Sequence, residues 1–258
     1  MTARTAVLLA SLLAAAALAS CTHTVEIPIE TPIQPKIDTS AFDRVLVVGF
    51  AAGGSDDVDA NLETVRLLRS QLRTRSSLKV VEADVVQVAD LLAGQSRAGA
   101  GAAPPAVDPK ALPKQIKDER DLDVYDPLFA NAEYWKKLGE EFQGPLIVTG
   151  SVAFMPTASS GFVQRDREII DEYGRRTVEP QRTYMERKGF VLRPKFVFID
   201  GRTGKVIDTE VFREAVLYNQ GQEVPVLSSY FELMDRVVPA FLGTLASQKI
   251  RGTRILLR

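Results

Sequence analysis

Apolar positions follow two different periods along the chain. Val45 to Gly49 is an unbroken apolar run of strand length. Asn61 to Thr74 then places Leu62, Val65, Leu68 and Leu72 at helical spacing, with Leu67 widening the stripe. A second short strand is predicted over 78–82, LKVVE, and a helix from Val85 to Ala93 that stops at Gly94. In YDPLFANAEYWKKLGEEFQ, Trp135, Leu138 and Phe142 share one helix face, which makes the single tryptophan a core residue rather than a ligand platform. PLIVTGSVAFMP, 145–156, is the strongest central strand.

Beyond residue 158 the period is mostly two. GFVQRDREIIDEYGRRTVEPQRTYMERKGF predicts two polar strands turning near Tyr173 and Gly174. LRPKFVFIDGRTGKVIDTEVF predicts a second hairpin, whose DGRTG turn supplies glycine for positive φ. A long amphipathic helix follows, with Leu227, Phe231, Met234, Val238, Phe241 and Leu245 on one side and a kink expected at Pro239. RGTRILLR closes the chain as a strand. Helices alternate with strands early and hairpins come later. That order predicts an α/β fold of the α+β kind: one mixed sheet with long flanking helices and a charged β-hairpin. A single domain is expected over 42–258, interrupted by the Ala/Gly/Pro-rich insertion 95–113.

Residues 1–20 have a positive start at Arg4 and an apolar stretch of secretory length, so they read as a signal peptide. Leu18-Ala19-Ser20-Cys21 resembles the lipobox of bacterial lipoproteins at every position. The resemblance implies cleavage between Ser20 and Cys21 and acylation of Cys21, the only cysteine in the chain. Several acyl chains hold a protein to a membrane without a spanning helix. No later stretch approaches the ~20 apolar residues such a helix needs. Thr22 is not the aspartate that resembles an inner-membrane retention signal, which favours the periplasmic face of an outer membrane. Residues 21–41 follow as the lipidated cysteine and an extended spacer carrying Pro28, Pro32 and Pro35.

Charge adds little. Without Arg4 the chain carries 31 basic and 33 acidic residues, so no global field points to nucleic acid. The stretch RVLVVGFAAGGSDDVDANLE, 44–63, has the outline of a phosphate loop. Gly49 and Gly54 are correctly spaced for one, but Ser55 stands where lysine is required and Asp56 where a hydroxyl is required. A calcium loop starting at Asp57 would need glycine and glutamate where Leu62 and Leu68 stand. The economical reading is that the loop turns the chain and Asp57 or Asp59 caps the next helix. The only histidine, His23, lies in the spacer. The domain thus lacks the side chains for Ser–His–Asp or Cys–His catalysis and for the usual zinc sites, and no catalytic residue, metal or cofactor is expected.

RVLVVGF, LKVVEADVVQVADLLA, LIVTGSVAF and FVLRPKFVFIDGRTGKVIDTEVF together resemble the CsgG-like envelope lipoproteins, related to the N-terminal domain of TolB. That resemblance implies an α/β sheet domain that binds other envelope components and has no catalytic centre. Channel members extend hairpins through a membrane. Here 164–172, QRDREIIDE, and the returning strand place charge on both faces, which lipid does not accept. The aromatic constriction of the channel members is also missing from AAGGSDDVDAN.

The candidate partner surfaces are the stretch 95–113, which could order on binding but is more often just an insertion, and two cationic sets. One is Arg175, Arg176, Arg182 and Arg187 on the hairpin; the other is the C-terminal run Lys249, Arg251, Arg254 and Arg258, suited to anionic headgroups or cell-wall polymer. The sequence therefore predicts a lipid-anchored, non-catalytic adaptor of the periplasm that binds an envelope protein or cell-wall material. Two other readings stand beside it: a subunit of an oligomeric outer-membrane secretion assembly, and a cell-wall hydrolase that uses carboxylates alone.

Overall fold

Strand β1, Thr24–Ile33, falls within the stretch expected to be a free spacer. It pairs antiparallel over ten residues with the last strand, β8, Gln248–Leu257, from Thr24 opposite Leu257 to Ile33 opposite Gln248. Pro28 and Pro32 have the same parity along β1, so both missing N–H groups fall on one edge and the ladder uses the other. The computed structural model describes residues 24–86, 119–170, 172–219 and 221–257. The predicted helix over 85–93, apart from the irregular Val85 and Val86, and the insertion 95–113 lie outside the described residues. So do Ser20, Cys21, His23 and Arg258.

Two compact units result. One holds the β1–β8 ribbon, and the other spans Pro35–Ala246. Within the larger unit the sheet runs β3-β2-β4-β5-β6, where β2 is Arg44–Gly54, β3 Lys79–Val80, β4 Leu146–Ile170, β5 Arg176–Asp200 and β6 Val206–Val211. Strand β2 lies parallel to both β3 and β4, whereas β4–β5 and β5–β6 are antiparallel, so the sheet is mixed. A further strand that the sequence reading missed, β7, Glu214–Tyr218, continues along the same edge of β5 after a break at Phe212 and Arg213.

Helices cover both faces. Helix α1, Ala60–Arg75, and the C-terminal helix α4, Val226–Leu245, pack on one side through Val65, Leu68, Leu72, Tyr230, Leu233, Met234, Val237 and Phe241. On the other side lie a 3-10 turn, Glu119–Tyr125, the short helix α2, Asp126–Phe129, and helix α3, Ala132–Glu141. Trp135 of α3 is fully buried there, and its indole N–H donates to the Leu128 carbonyl at 3.0 Å. Helix α4 runs uninterrupted through Pro239. Its buried stripe opens at Ser229 and Tyr230; of the residues expected on it, Leu227 is 45% exposed in the first turn and Phe231 is half-buried. Among the described residues no helix is long and apolar enough to cross a membrane.

One irregularity organises the sheet centre. Val47 pairs with Val148 but Phe50 pairs with Gly150, so two residues of β2, Val48 and Gly49, oppose Thr149 alone. The bulge releases buried backbone groups, and each finds a partner. The buried Arg69 guanidinium donates to the Val47 carbonyl at 2.7 Å, and Val86 N–H donates to the Val48 carbonyl at 3.0 Å. Thr149 Oγ1 donates to the Gly49 carbonyl at 2.7 Å, and Phe50 N–H donates to Asn61 Oδ1 at 2.7 Å. Burial pulls the Arg69 guanidinium below its ordinary pKa, and neighbouring Arg73 adds to that. Gly150 takes φ +144°, and a Cβ there would stand 1.8 Å from the Lys195 carbonyl oxygen.

Two stability predictions follow from this packing. Gly150→Ala strains the backbone and meets β5, so it should destabilise by roughly 3 kcal/mol or more, read as a lowered urea midpoint. In the helix layer, Tyr230 is 0% exposed, with its hydroxyl 2.6 Å from Thr64 Oγ1. Tyr230→Phe should cost about 1–2 kcal/mol in the same titration, because the ring packing survives while the hydroxyl's buried bonds to Thr64 Oγ1 and the Ala60 carbonyl are lost.

Candidate functional site

Strand β2 continues through Gly54, so both glycines of the apparent phosphate loop lie in a strand. The turn falls at Asp56 and Asp57. Gly49 serves a close approach: a Cβ there would meet the Val86 carbonyl oxygen at 2.2 Å. Asp59 is the N-cap of α1, and its carboxylate accepts from Leu62 N–H at 2.9 Å. Of the two cap candidates it is therefore Asp59 that serves, while Asp57 pairs with Ser55 Oγ at 3.2 Å. A cleft of about 460 Å³ opens beside this turn, lined by Phe50, Gly54, Ser55, Asp56, Asp59 and Asn61. Three considerations make it a poor phosphate cradle. Among the described residues no basic side chain lines it, a carboxylate already occupies the helix cap, and the Asn61 side chain is engaged with Phe50 and Val86. Among the described residues no three His, Cys, Asp or Glu side chains converge to hold a metal ion.

The more distinctive surface comes from the length of β4 and β5. The central strand expected over 145–156 and the polar hairpin expected around 173 are one continuous pair. Twenty-five residues of each strand pair without a slip, from Leu146 opposite Asp200 to Ile170 opposite Arg176. β2 accompanies β4 only to Phe154, and β7 accompanies β5 only to Lys188. From Ser159 to Ile170, and back from Arg176 to Arg187, the pair is a ribbon with no third strand among the described residues. At ~3.4 Å per residue it runs about 40 Å.

Register assigns its faces. One face carries Gln164, Asp166 and Glu168 opposite Arg182, Pro180 and Val178; the other carries Arg165 and Arg167 opposite Gln181 and Glu179. Both faces are charged. Midway along the first face, Phe162 and Tyr184 stand directly opposite each other, 74% and 58% exposed, with ring centroids 5.4 Å apart at an edge-to-face angle. These two aromatics are the feature the sequence reading passed over. The signal was their symmetric placement about the Tyr173-Gly174 turn, eleven residues before Tyr173 and eleven after it.

At the root of the ribbon, on the same face, is a second cavity of about 520 Å³ lined by Pro156, Ala158, Lys188, Phe190, Tyr218 and Val224. Tyr218 anchors it: its hydroxyl donates to Glu232 Oε2 at 2.9 Å and lies 3.0 Å from Ser229 Oγ. Burial raises the Tyr218 pKa, as does the Glu232 carboxylate, against the bond to Ser229. Arg236 holds Glu232 at 2.6 Å and donates to the Ala215 carbonyl, which ties β7 to α4.

The predicted cationic residues do not gather into one patch. Arg175 lies over the Tyr173 ring at 5.5 Å, and Arg176 pairs with Glu168 at 3.3 Å. Arg182 is exposed opposite Gln164, and Arg187 is half-buried opposite Ser159. Lys249 and Arg251 belong to the other unit and share Glu30, at 3.4 and 3.0 Å, while Arg254 lies opposite Ile27. Much of the expected positive field is thus neutralised locally.

No protein-family model matches the chain, and no curated protein matches it in sequence. Among solved structures, the chain is similar to the PelC dodecamer from Paraburkholderia phytofirmans, with 12% identity, 87% of this chain and 100% of that one covered, and a TM-score of 0.37. It is also similar to a lipoprotein from Neisseria meningitidis, with 13% identity, 77% and 96% coverage and a TM-score of 0.33. At that level of superposition neither likeness bears on what this chain binds or whether it assembles.

Proposed function

We propose that this chain is a lipid-anchored adaptor of the bacterial envelope, held at the periplasmic face of the outer membrane by acylated Cys21, which binds a partner without transforming it. The observation that carries the reading is the β4–β5 ribbon. A two-stranded ribbon with charge on both faces buries almost nothing of its own and is marginal in water. Its length is therefore unexplained by stability. Its open strand edges offer main-chain hydrogen bonds, and Phe162 with Tyr184 offers an aromatic anchor of the kind that dominates interfaces. The lipobox and the resemblance to CsgG-like lipoproteins support the envelope setting. The absence of histidine and cysteine after residue 23 supports binding over catalysis.

The same open edges favour a second reading, in which the ribbon of one copy pairs with that of another in an oligomer. The ribbon's charge argues against a lipid-facing barrel in either case.

A photo-reactive residue in place of Phe162 or Tyr184 should, in intact cells, capture one defined envelope protein. The same residue in place of Arg66, on the exposed side of α1, should capture none. Capture only of a second copy would favour the oligomer. An identical background from all three positions would overturn the reading.

A further inference from the structure

The β1–β8 ribbon has two unlike faces. Ile27, Ile29 and Ile33 share one with Thr31 and are 41%, 41% and 43% exposed. Opposite Ile29 is Gly252, which leaves that isoleucine without a cross-strand side chain to cover it. Opposite Ile27 is Arg254, whose aliphatic stem can lie along apolar surface while its guanidinium stays wet. The other face carries Glu26, Pro28, Glu30 and Pro32 against Ile255, Thr253, Arg251 and Lys249, with the Glu30 ion pairs on it. Two strands with one aliphatic face are not stable by themselves in water; such a face has to rest on something.

We infer that this face rests on the phospholipid surface to which the chain is anchored. The inference depends on the proposed acylation of Cys21. What identifies the occupant is the length of chain outside the described residues. β1 begins at Thr24, three residues from Cys21, and three residues span at most about 11 Å. An acylated Cys21 thus holds the first residue of the ribbon at headgroup depth, and no longer spacer lifts it away. On the isoleucine face the charged residue of β8 is Arg254, opposite Ile27, which suits an anionic headgroup, whereas Lys249 and Arg251 lie on the other face with Glu30. The acyl chains and the isoleucine face then act as two linked contacts. The ribbon is a platform lying on the bilayer rather than a tether.

The test uses the acylated full chain in vesicles of phosphatidylethanolamine and phosphatidylglycerol. Cys21 is the only cysteine and acylation consumes its thiol, so one introduced cysteine takes one spin label. Labels at Ile27→Cys and Ile29→Cys should show an oxygen-to-nickel collision ratio at least about threefold above that of Glu26→Cys and Thr253→Cys, as expected for side chains buried ~5 Å or more at the interface. All four positions are exposed strand sites, so folding is retained. Equal ratios on the two faces would overturn the inference. So would label–label broadening, which places a second copy on the face, or shielding of Ile29→Cys from both reagents in detergent, which places the rest of the chain there. Labelled palmitate incorporation at Cys21, measured on the same preparations, separates the two levels. Its failure sinks the anchored reading, whereas incorporation without the alternation sinks the platform alone.

Discussion

The unbroken pairing of β4 with β5 is the constraint on which the rest depends. Twenty-five cross-strand pairs share one register, so the positions that bury Val148, Val152, Phe196 and Phe198 also fix which side chains line each face of the ribbon. A one-residue slip would move the phenylalanines of β5 from the α1–α4 side to the α3 side and break both cores together. The buried half therefore holds the register of the exposed half. This is how a ribbon without a core of its own can present Phe162 and Tyr184 in a defined geometry.

The bulge at Val48 and Gly49 sits at the point where helices cover both faces of the sheet. It breaks the ladder between β2 and β4, and three side chains, Asn61 and Arg69 of α1 and Thr149 of β4, replace what it removes. A buried arginine bonded to a backbone carbonyl is costly unless geometry is well fixed. Here the helix α1 that carries Arg69 is itself held by the Asp59 cap and by Val65, Leu68 and Leu72 in the core. Local and tertiary preferences agree at this site, which is what allows a polar group to be buried in the middle of the sheet.

Much of the body was legible because it rests on local rules. The helical stripe at Val65, Leu68 and Leu72, the burial of Trp135, and the turn before Lys205 all follow from periodicity or turn chemistry, and Gly204 takes φ +71° there while Gly201 does not. Long-range pairing was not legible. AAGG has the composition of a loop and becomes strand only because β4 runs alongside it. THTVEIPIETPIQP has the composition of a linker and is strand over Thr24–Ile33 only because the other end of the chain returns to pair with it. β7 follows β6 after a two-residue break that no turn signal marks. At the candidate site, the charged hairpin was visible in the sequence, but it took the register to pair Arg176 with Glu168 and to set Phe162 against Tyr184.

The most direct measurement of the central claim is to replace residues 159–187 with a short turn and follow both thermal unfolding and partner capture. A body that is complete without the ribbon should unfold cooperatively with Tm shifted by no more than ~4 °C, about 1 kcal/mol for a domain of this size, while the envelope partner is lost. Collapse of the cooperative transition, or a shortened protein that still binds its partner, would contradict the account.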